Sequence, residues 1–255
     1  MPLEIRQFPC LADNYGYLAH DPATGATATI DTPDVEAINA ALNDAGWRLT
    51  HIFNTHHHWD HAGGNLALKE QWGCEIVGPR NEASKIPGID RPVGDGDIVA
   101  LGEATARVYD TPGHTSGHVV FHFENDDAAF VGDTIFALGC GRLFEGTPAE
   151  MWRSLSRIAA WPPETKLYCA HEYTQANARF ALSVDPHNAA LKDRSAAIDA
   201  ARDRGEPTVP TTVAEERATS PFLRAGDDGL KAALGMAHAS DTEVFAEIRR
   251  RKDVF

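Results

Sequence analysis

Residues 55–65 read Thr-His-His-His-Trp-Asp-His-Ala-Gly-Gly-Asn, and this segment places four side chains that commonly bind metals within six positions: His56, His58, Asp60 and His61. Side chains at positions i and i+2 of an extended backbone point the same way, so His56 and His58 can hold one ion. Asp60 and His61 can then turn toward a second ion. Imidazole together with carboxylate suits zinc, iron or manganese better than calcium or magnesium, which prefer oxygen ligands. The segment therefore predicts two adjacent metal ions.

The composition sets the class of protein. The chain has 255 residues and is 43% apolar, which fits one large domain or one domain with a smaller appendage. Its formal net charge of −14 opposes binding to nucleic acids and to anionic membranes. The N-terminus lacks the pattern of a signal peptide, and no stretch reaches the roughly 18 apolar residues that span a bilayer. Four cysteines without a C-x-x-C pair fit a reducing compartment. We expect a cytoplasmic monomer without nucleic-acid or membrane partners.

The pattern of apolar runs changes along the chain. Up to about residue 170, short apolar runs alternate with turn signals, which predicts many strands and a few short helices. After it the pattern is mostly helical, with a Pro/Thr-rich linker at residues 206–212. We therefore expect stacked sheets with helices outside them in residues 1–170, and a small all-helical domain in residues 171–255.

Three later residues each follow a predicted strand. His114 stands in a turn after Pro112-Gly113, Asp133 ends a strand after Gly132, and His171 follows the strand that ends at Ala170. Taken singly, each fits an ordinary turn residue or helix cap. Together and in this order, they indicate ligands gathered at the ends of strands, where sites commonly form. His118 and His122 fit alternating strand positions, and we expect both to be structural.

These segments resemble a known family. His56-x-His58-x-Asp60-His61, with the later histidine, aspartate and histidine, resembles the metallo-β-lactamase superfamily. Longer strings resemble glyoxalase II, the hydroxyacylglutathione hydrolases, within that superfamily. These strings are Gly139-Cys140-Gly141-Arg142, His171-Glu172-Tyr173-Thr174 and the C-terminal Arg249-x-x-Lys252-Asp253.

The resemblance implies a four-layered αββα sandwich with a helical substrate-binding domain. It also implies two divalent cations, with zinc expected and iron or manganese as alternatives. One cation would be held by His56, His58 and His114, the other by Asp60, His61 and His171, and Asp133 would bridge them. We expect Asp60 and Asp133 to be the catalytic residues. A hydroxide shared by two cations is nucleophilic near neutral pH, since metals lower the pKa of water from about 15.7 toward about 7.

The expected reaction is hydrolysis of S-D-lactoylglutathione and related thioesters to the 2-hydroxy acid and glutathione, the second step of methylglyoxal detoxification. Glutathione carries two carboxylates, so an acidic protein must offer local cations to it. The resemblance implies that the substrate contacts are Arg142, Leu143, Phe144, His171, Glu172, Tyr173, Arg249, Arg250, Arg251 and Lys252. The chain departs from the family at two of them, with Phe144 where tyrosine is frequent and Arg142 where lysine is frequent.

Two other functions are considered. A persulfide dioxygenase has a similar fold, also uses glutathione and works with one iron. In such an enzyme, the residues at the positions of Asp60 and His61 would not coordinate the iron. The string at residues 171–174 and the long helical C-terminal region favour the hydrolase instead. A non-catalytic metal-binding or redox-sensing protein on the same scaffold is disfavoured because all seven ligands are present.

Overall fold

The computed structural model describes residues 1–255, and the chain divides into two compact units. The first unit contains residues 1–110 and 116–132, and the second contains residues 111–115 and 133–255. These units have other bounds than the domains predicted from the sequence, 1–170 and 171–255. The two domains stay a prediction.

The first sheet lies entirely in the first unit and has six strands in sequence order. They are β1 (Glu4–Cys10), β2 (Asn14–Asp21), β3 (Ala26–Ile30), β4 (His51–Phe53), β5 (Glu75–Pro79) and β6 (Arg91–Val93). Strands β1 to β3 are antiparallel, whereas β3 to β6 run parallel. Because Ile30 pairs with Phe53, the chain leaves β3 and β4 at the same sheet edge. The histidine segment after β4 therefore begins beside Asp31, the residue that follows β3.

The helices of this unit cover the first sheet. They are α1 (Val35–Ala45), α2 (Trp59–Ala62) and α3 (Asn65–Trp72), with 3₁₀ turns at Arg80–Lys85 and Glu124–Asp126. Helix α1 starts at an Asp34 cap and buries Ile38 and Leu42. These residues pack with Leu18 and Ile52 in one apolar core. Because Ile52 of β4 is part of this core, the core holds β4 in place. The position of β4 in turn determines where the histidine segment starts.

Four more strands in the first unit form an antiparallel meander. They are β7 (Ile98–Leu101), β8 (Ala104–Asp110), β9 (Val119–Phe123) and β10 (Ala128–Gly132). Strands β9 and β10 are buried along their whole length, which places Asp133 directly after a buried strand. The stack of Phe53 on Phe121, with centroids 5.1 Å apart, is an apolar contact between β4 of the first sheet and β9 of the meander.

The second unit is mainly helical. Its strands are two short antiparallel pairs, β11 (Ile135–Phe136) with β12 (Gly139–Cys140), and β13 (Lys166–Cys169) with β14 (Thr211–Thr212). Its helices are α4 (Pro148–Ala159), α5 (Thr174–Val184), α6 (Ala189–Asp203), α7 (Val213–Thr219), α8 (Asp228–Ala233) and α9 (Asp241–Asp253). None of the helices in the chain combines the length and the apolar character needed to cross a membrane.

The predicted change of pattern is found, because most strands precede residue 170 and the part after it is mostly helical. Strand β3 ends at Ile30 because the next residue, Asp31, adopts a left-handed conformation with a φ of 59°. The predicted linker at 206–212 contains β14, since Thr211 and Thr212 pair with β13.

Three helices hold the β11–β12 hairpin by its backbone. Asn177 of α5 donates to the carbonyl of Ala137 at 3.0 Å, and Arg249 of α9 donates to the carbonyl of Cys140 at 2.8 Å. Glu216 of α7 accepts from the amide of Leu138 at 2.9 Å. Leu138 has a φ of 59°, a conformation that costs free energy in a residue other than glycine. The helices thus stabilise a strained turn whose hairpin begins two residues after Asp133.

Replacing Glu216 with alanine is expected to destabilise the protein by about 3–5 kcal/mol, since removing one member of a buried ion pair leaves a charge uncompensated. Glu216 is fully buried, binds Arg194 at 2.6 Å and accepts from the Thr211 hydroxyl at 2.8 Å. Urea unfolding monitored by circular dichroism measures the loss. The neighbouring Glu215→Ala is the control, because Glu215 is exposed and completes the capping box of α7, so its loss is expected to cost about 1 kcal/mol. Equal losses for the two variants would contradict the role of Glu216.

Candidate metal centre

The first unit presents four of the predicted metal ligands on one short segment. Nε2 of His56 lies 3.0 Å from Nδ1 of His58, and Nε2 of His61 lies 3.4 Å from a carboxylate oxygen of Asp60. The His56 and His61 rings have centroids 4.0 Å apart. His56 and His61 are buried, whereas His58 and Asp60 are partly exposed. The structure therefore places these four side chains close together, and their role as metal ligands stays a prediction.

Asp31 orients this segment from behind. It accepts from Nδ1 of His61 at 2.8 Å, from the Thr55 amide at 2.7 Å and from the Thr55 hydroxyl at 2.8 Å. All three residues are buried. A carboxylate can only accept in these contacts, so Nδ1 of His61 carries the proton and Nε2 keeps its lone pair. Asp31 therefore fixes the tautomer of His61 that can bind a metal through Nε2.

The same carboxylate reaches His56 through Thr55. The Thr55 hydroxyl gives its only proton to Asp31, so its oxygen, 3.0 Å from Nδ1 of His56, acts as the acceptor there. Nδ1 of His56 then carries the proton, and Nε2, the nitrogen facing His58, keeps a lone pair. Histidines that bind metals are typically held in this way by a partner on the other ring nitrogen.

Two asparagines hold the backbone of the segment. Asn54 donates to the carbonyl of His61 at 2.9 Å, and Asn65 donates to the side-chain oxygen of Asn54 at 2.7 Å. The Thr32 hydroxyl donates to Asn65 at 2.8 Å. These buried bonds close the segment into a loop between β4 and α3, so that the ligand positions depend little on solvent-exposed contacts.

The second unit presents the other three predicted ligands around one carboxylate. Asp133 has one oxygen 3.4 Å from Nε2 of His114 and the other oxygen 3.5 Å from Nε2 of His171. All three side chains are buried. Nδ1 of His114 donates to the Arg142 carbonyl at 2.9 Å, which leaves Nε2 as the ligand atom. A Cβ at Gly141 would stand 2.2 Å from the Asp133 carbonyl oxygen, so only glycine permits this approach.

The donor chemistry of both units fits a metal. Each unit offers imidazole nitrogens and a carboxylate, close together and at least partly buried. Grouped like this without a cation, carboxylates and nitrogen lone pairs would be costly to keep out of water. Nitrogen and oxygen ligands of this kind bind zinc, iron or manganese.

A cavity of about 570 Å³ opens in the second unit beside these ligands. Its lining includes His114 and Asp133, the rings of Phe136, Phe144 and Tyr173, and the cations Arg142, Arg249 and Lys252. The volume is within the usual range for a small-molecule site. The cavity thus joins candidate metal ligands, apolar rings and positive charges in one space.

Five predicted substrate contacts line this cavity, namely Arg142, Phe144, Tyr173, Arg249 and Lys252. Leu143, Glu172, Arg250 and Arg251 do not line it, and neither does His171, although its ring stacks on Tyr173 at 4.7 Å.

Three of the predicted contacts that do not line the cavity are charged, and their side chains bond to other parts of the chain. Glu172 accepts from the Thr208 amide and hydroxyl, at 2.9 and 2.6 Å. Arg250 and Arg251 both bind Glu247.

The two basic residues of α9 in the cavity differ in their environment. Arg249 is 5% exposed, and its guanidinium is bound to the Cys140 carbonyl and to Asp253. The Lys252 ammonium lies over the rings of Phe180 and Phe255, at 5.3 and 5.5 Å. Partial burial, together with Arg249, Arg179 and Arg142, lowers the pKa of Lys252 to about 8. Lys252 is therefore a cation that loses its charge only slightly above neutral pH.

Cysteine does not supply a nucleophile in this cavity. Cys140 is the cysteine in its lining, and burial raises the pKa of its thiol to about 11. A thiol with this pKa is almost entirely protonated at neutral pH, and the thiolate is the reactive form.

Asp31, Thr55 and Asn54 were missed from the sequence, although a signal existed for Asp31. It follows the apolar strand β3 as Asp133 follows β10, so the same pattern of an aspartate after a buried strand marks both.

The comparisons with known proteins agree with this geometry. The family model described as hydroxyacylglutathione hydrolase C-terminus matches residues 172–255, and that of the metallo-beta-lactamase superfamily matches residues 21–210. Proteins named hydroxyacylglutathione hydrolase from Maricaulis maris, Chelativorans sp. and Methylococcus capsulatus are 62%, 57% and 56% identical to the chain. The matches cover 99%, 100% and 99% of the chain and the same shares of those proteins.

Solved structures confirm the predicted fold class. The crystal structure of ETHE1 from Myxococcus xanthus has a TM-score of 0.69 and 27% identity, over 97% of this chain and 90% of that one. The BLEG-1 B3 metallo-beta-lactamase has a TM-score of 0.66 and 20% identity, over 86% of this chain and 99% of that one. The second similarity shows the fold alone.

Asp31→Asn is expected to weaken zinc binding by about 10–100-fold, because an amide cannot accept from all three donors and the His61 tautomer is no longer fixed. Asparagine tolerates the left-handed backbone conformation, so the fold should be kept. Zinc retained per chain after dialysis against graded chelator measures the effect. Asp34→Asn is the control, since Asp34 caps α1 and asparagine caps equally well. Equal zinc retention in Asp31→Asn and the unmodified chain would refute the role of Asp31.

Proposed function

The chain belongs to the hydroxyacylglutathione hydrolases of the metallo-β-lactamase superfamily, and from this membership we propose that it hydrolyses S-D-lactoylglutathione and related S-2-hydroxyacylglutathiones. The products are the 2-hydroxy acid, here D-lactate, and glutathione. The observation that carries the proposal is the cavity in which His114 and Asp133 stand with Arg142 and Lys252. Groups suited to a hydrolytic metal thus adjoin cations suited to an anionic thiol carrier.

We propose that the ligands divide between two cations, as expected from the sequence. His56, His58 and His114 would hold one, Asp60, His61 and His171 the other, and Asp133 would be shared. Zinc is the metal we propose, and the same donors accept iron or manganese. Bound cations would supply a water of lowered pKa and polarise the thioester carbonyl.

The carboxylates have separate tasks in this proposal. Asp60 would orient the attacking water, and Asn14 donates to Asp60 at 3.1 Å, which fixes one of its oxygens. Asp133 presents its two oxygens to His114 and His171, 3.4 and 3.5 Å from Nε2 of each ring, and would hold a cation together with them. The leaving group is a thiolate, which is stable enough that a strong general acid is not required.

The cavity explains how a chain of net charge −14 would bind a dianionic thiol carrier. Arg142, Arg249 and Lys252 provide positive charge where the carboxylates of glutathione need partners. Phe136, Phe144 and Tyr173 provide apolar surface for the rest of the ligand. Arg250, Arg251, Glu172 and Leu143 are not proposed as contacts, since they do not line the cavity.

We also propose a role for the C-terminal region, a cellular location and an oligomeric state. We propose that residues 171–255 act as a substrate-binding domain, which the family match at 172–255 supports. The negative charge opposes nucleic-acid binding. Four buried cysteines without a disulfide suit the reducing cytoplasm. A monomer is sufficient for the proposed site.

Purified protein loaded with zinc is expected to hydrolyse S-D-lactoylglutathione, with two zinc ions per chain when the metal is measured on the same sample. The loss of thioester absorbance measures the rate, and chelation should abolish it. Asp60→Asn should lower kcat by about 100-fold or more, because it removes both a ligand and the residue that orients water. The absence of thioester turnover, with oxygen consumption on glutathione persulfide and a single iron, would refute the proposal in favour of the dioxygenase.

Lys252→Ala is expected to raise KM about tenfold with little change in kcat, because it removes one charged contact to the substrate. Since the pKa of Lys252 is lowered to about 8, the free enzyme loses this charge as the pH rises through 8. In the unmodified chain kcat/KM should therefore fall above that pH, and the corresponding part of the decline should be absent from Lys252→Ala.

Arg250→Ala is the matched control for Lys252→Ala. It removes a positive charge two residues away that binds Glu247 and lies outside the cavity. Its KM and pH profile should be those of the unmodified chain. A KM that is the same in all three proteins would show that Lys252 does not bind the substrate.

A further inference from the structure

One buried carboxylate of the first unit has no task in the proposed chemistry. Glu82 lies in the 3₁₀ turn after β5 and is 1% exposed. Its Oε2 accepts from the backbone amide of His57 at 3.0 Å and from Nδ1 of His57 at 2.9 Å, and its Oε1 accepts from the amide of Gly117 at 2.9 Å. A carboxylate held by three N–H donors is a strong and directional anchor.

The position of His57 shows which part of the site Glu82 holds. His57 stands between His56 and His58 in the chain, whose ring nitrogens approach each other at 3.0 Å. In an extended segment successive side chains point to opposite sides, so His57 points away from the ions when its neighbours point toward them. Glu82 therefore holds the segment from the side opposite to the proposed metal.

Gly117 extends the anchor to a second segment. It follows His114 by three residues, and its amide donates to the same carboxylate that holds His57. A Cβ at this position would lie 2.6 Å from Cγ of Glu82. Glycine thus permits the close approach of backbone to carboxylate, and Glu82 ties the histidine segment to the backbone at Gly117.

We propose that Glu82 is a positioning residue for the metal centre, which acts through its bonds to His57 and Gly117 to keep the ligand segment at residues 56–58 in its binding geometry. The inference rests on the proposed role of His56, His58 and His114 as metal ligands. It assigns to Glu82 an effect on metal affinity rather than a contact with substrate.

The test is the zinc affinity of Glu82→Gln, measured by competition with a chromophoric chelator. Glutamine has nearly the same shape but only one acceptor oxygen, so its NH₂ group must face the N–H of His57 or of Gly117. The zinc dissociation constant is expected to rise about tenfold, at the lower end of what loss of such a partner costs. Amide hydrogen exchange at His57 should become faster in the metal-free protein.

Two further variants separate positioning from general stability. Asp21→Asn removes a comparable buried carboxylate, which accepts from the Ala23 and Glu103 amides and the Thr24 hydroxyl. Its zinc affinity should equal that of the unmodified chain, whatever its melting temperature. Gly117→Ala keeps every hydrogen-bonding group but displaces Glu82, so it should also weaken zinc binding. This variant tests the proposal if Glu82→Gln does not fold.

His56→Ala distinguishes the two levels of the proposal. If it binds zinc as tightly as the unmodified chain, the proposed ligand set is wrong. If it loses zinc while Glu82→Gln and Gly117→Ala keep normal affinity and normal exchange at His57, the ligand set holds and the positioning role of Glu82 is overturned.

Discussion

The structure of the site depends on the hydrogen bonds that fix which nitrogen of His56, His61 and His114 carries the proton. Asp31 fixes His61 directly and His56 through Thr55. An imidazole binds a cation only through a nitrogen lone pair, so a wrong tautomer is equivalent to a missing ligand. Asp31 adopts a left-handed conformation that costs free energy, and three hydrogen bonds to one carboxylate offset this cost.

A second dependence links the proposed chemistry to recognition of the thiol carrier. The segment from Asp133 to Arg142 contains a proposed metal ligand at one end and a cavity cation at the other, with the β11–β12 hairpin between them. Asn177, Glu216 and Arg249 hold that hairpin from three helices. The helical part of the second unit therefore supports the geometry of Asp133 as well as the walls of the cavity, and its stability and the catalytic function are not independent.

The proposed ligands could be recognised in the sequence because they form a local pattern, whereas the residues that support them could not. His56, His58, Asp60 and His61 stand within six positions, and each remaining ligand follows a strand with clear apolar character. The supporting contacts join distant residues: His61 binds Asp31 across 30 positions, and Arg249 binds Cys140 across 109. Such pairs become neighbours only through the parallel register of β3 and β4 or the packing of helices, which single-residue types do not encode. The same reason explains why Glu82 gave no signal in the sequence.

The basic run at the C-terminus shows how helix geometry divides residues that a charge count treats alike. Positions 249 and 252 are three apart and share one face of α9, so both reach the cavity. Arg250 and Arg251 lie on other faces, where Glu247 is three and four positions away and binds both. Even the two residues on the cavity face differ. Arg249 is bound to the Cys140 carbonyl and Asp253, whereas Lys252 is half-buried, with its ammonium over two aromatic rings. Arg249 thus supports the hairpin and also lines the cavity, whereas Lys252 lines the cavity with its ammonium over aromatic rings, and only a structure shows this difference.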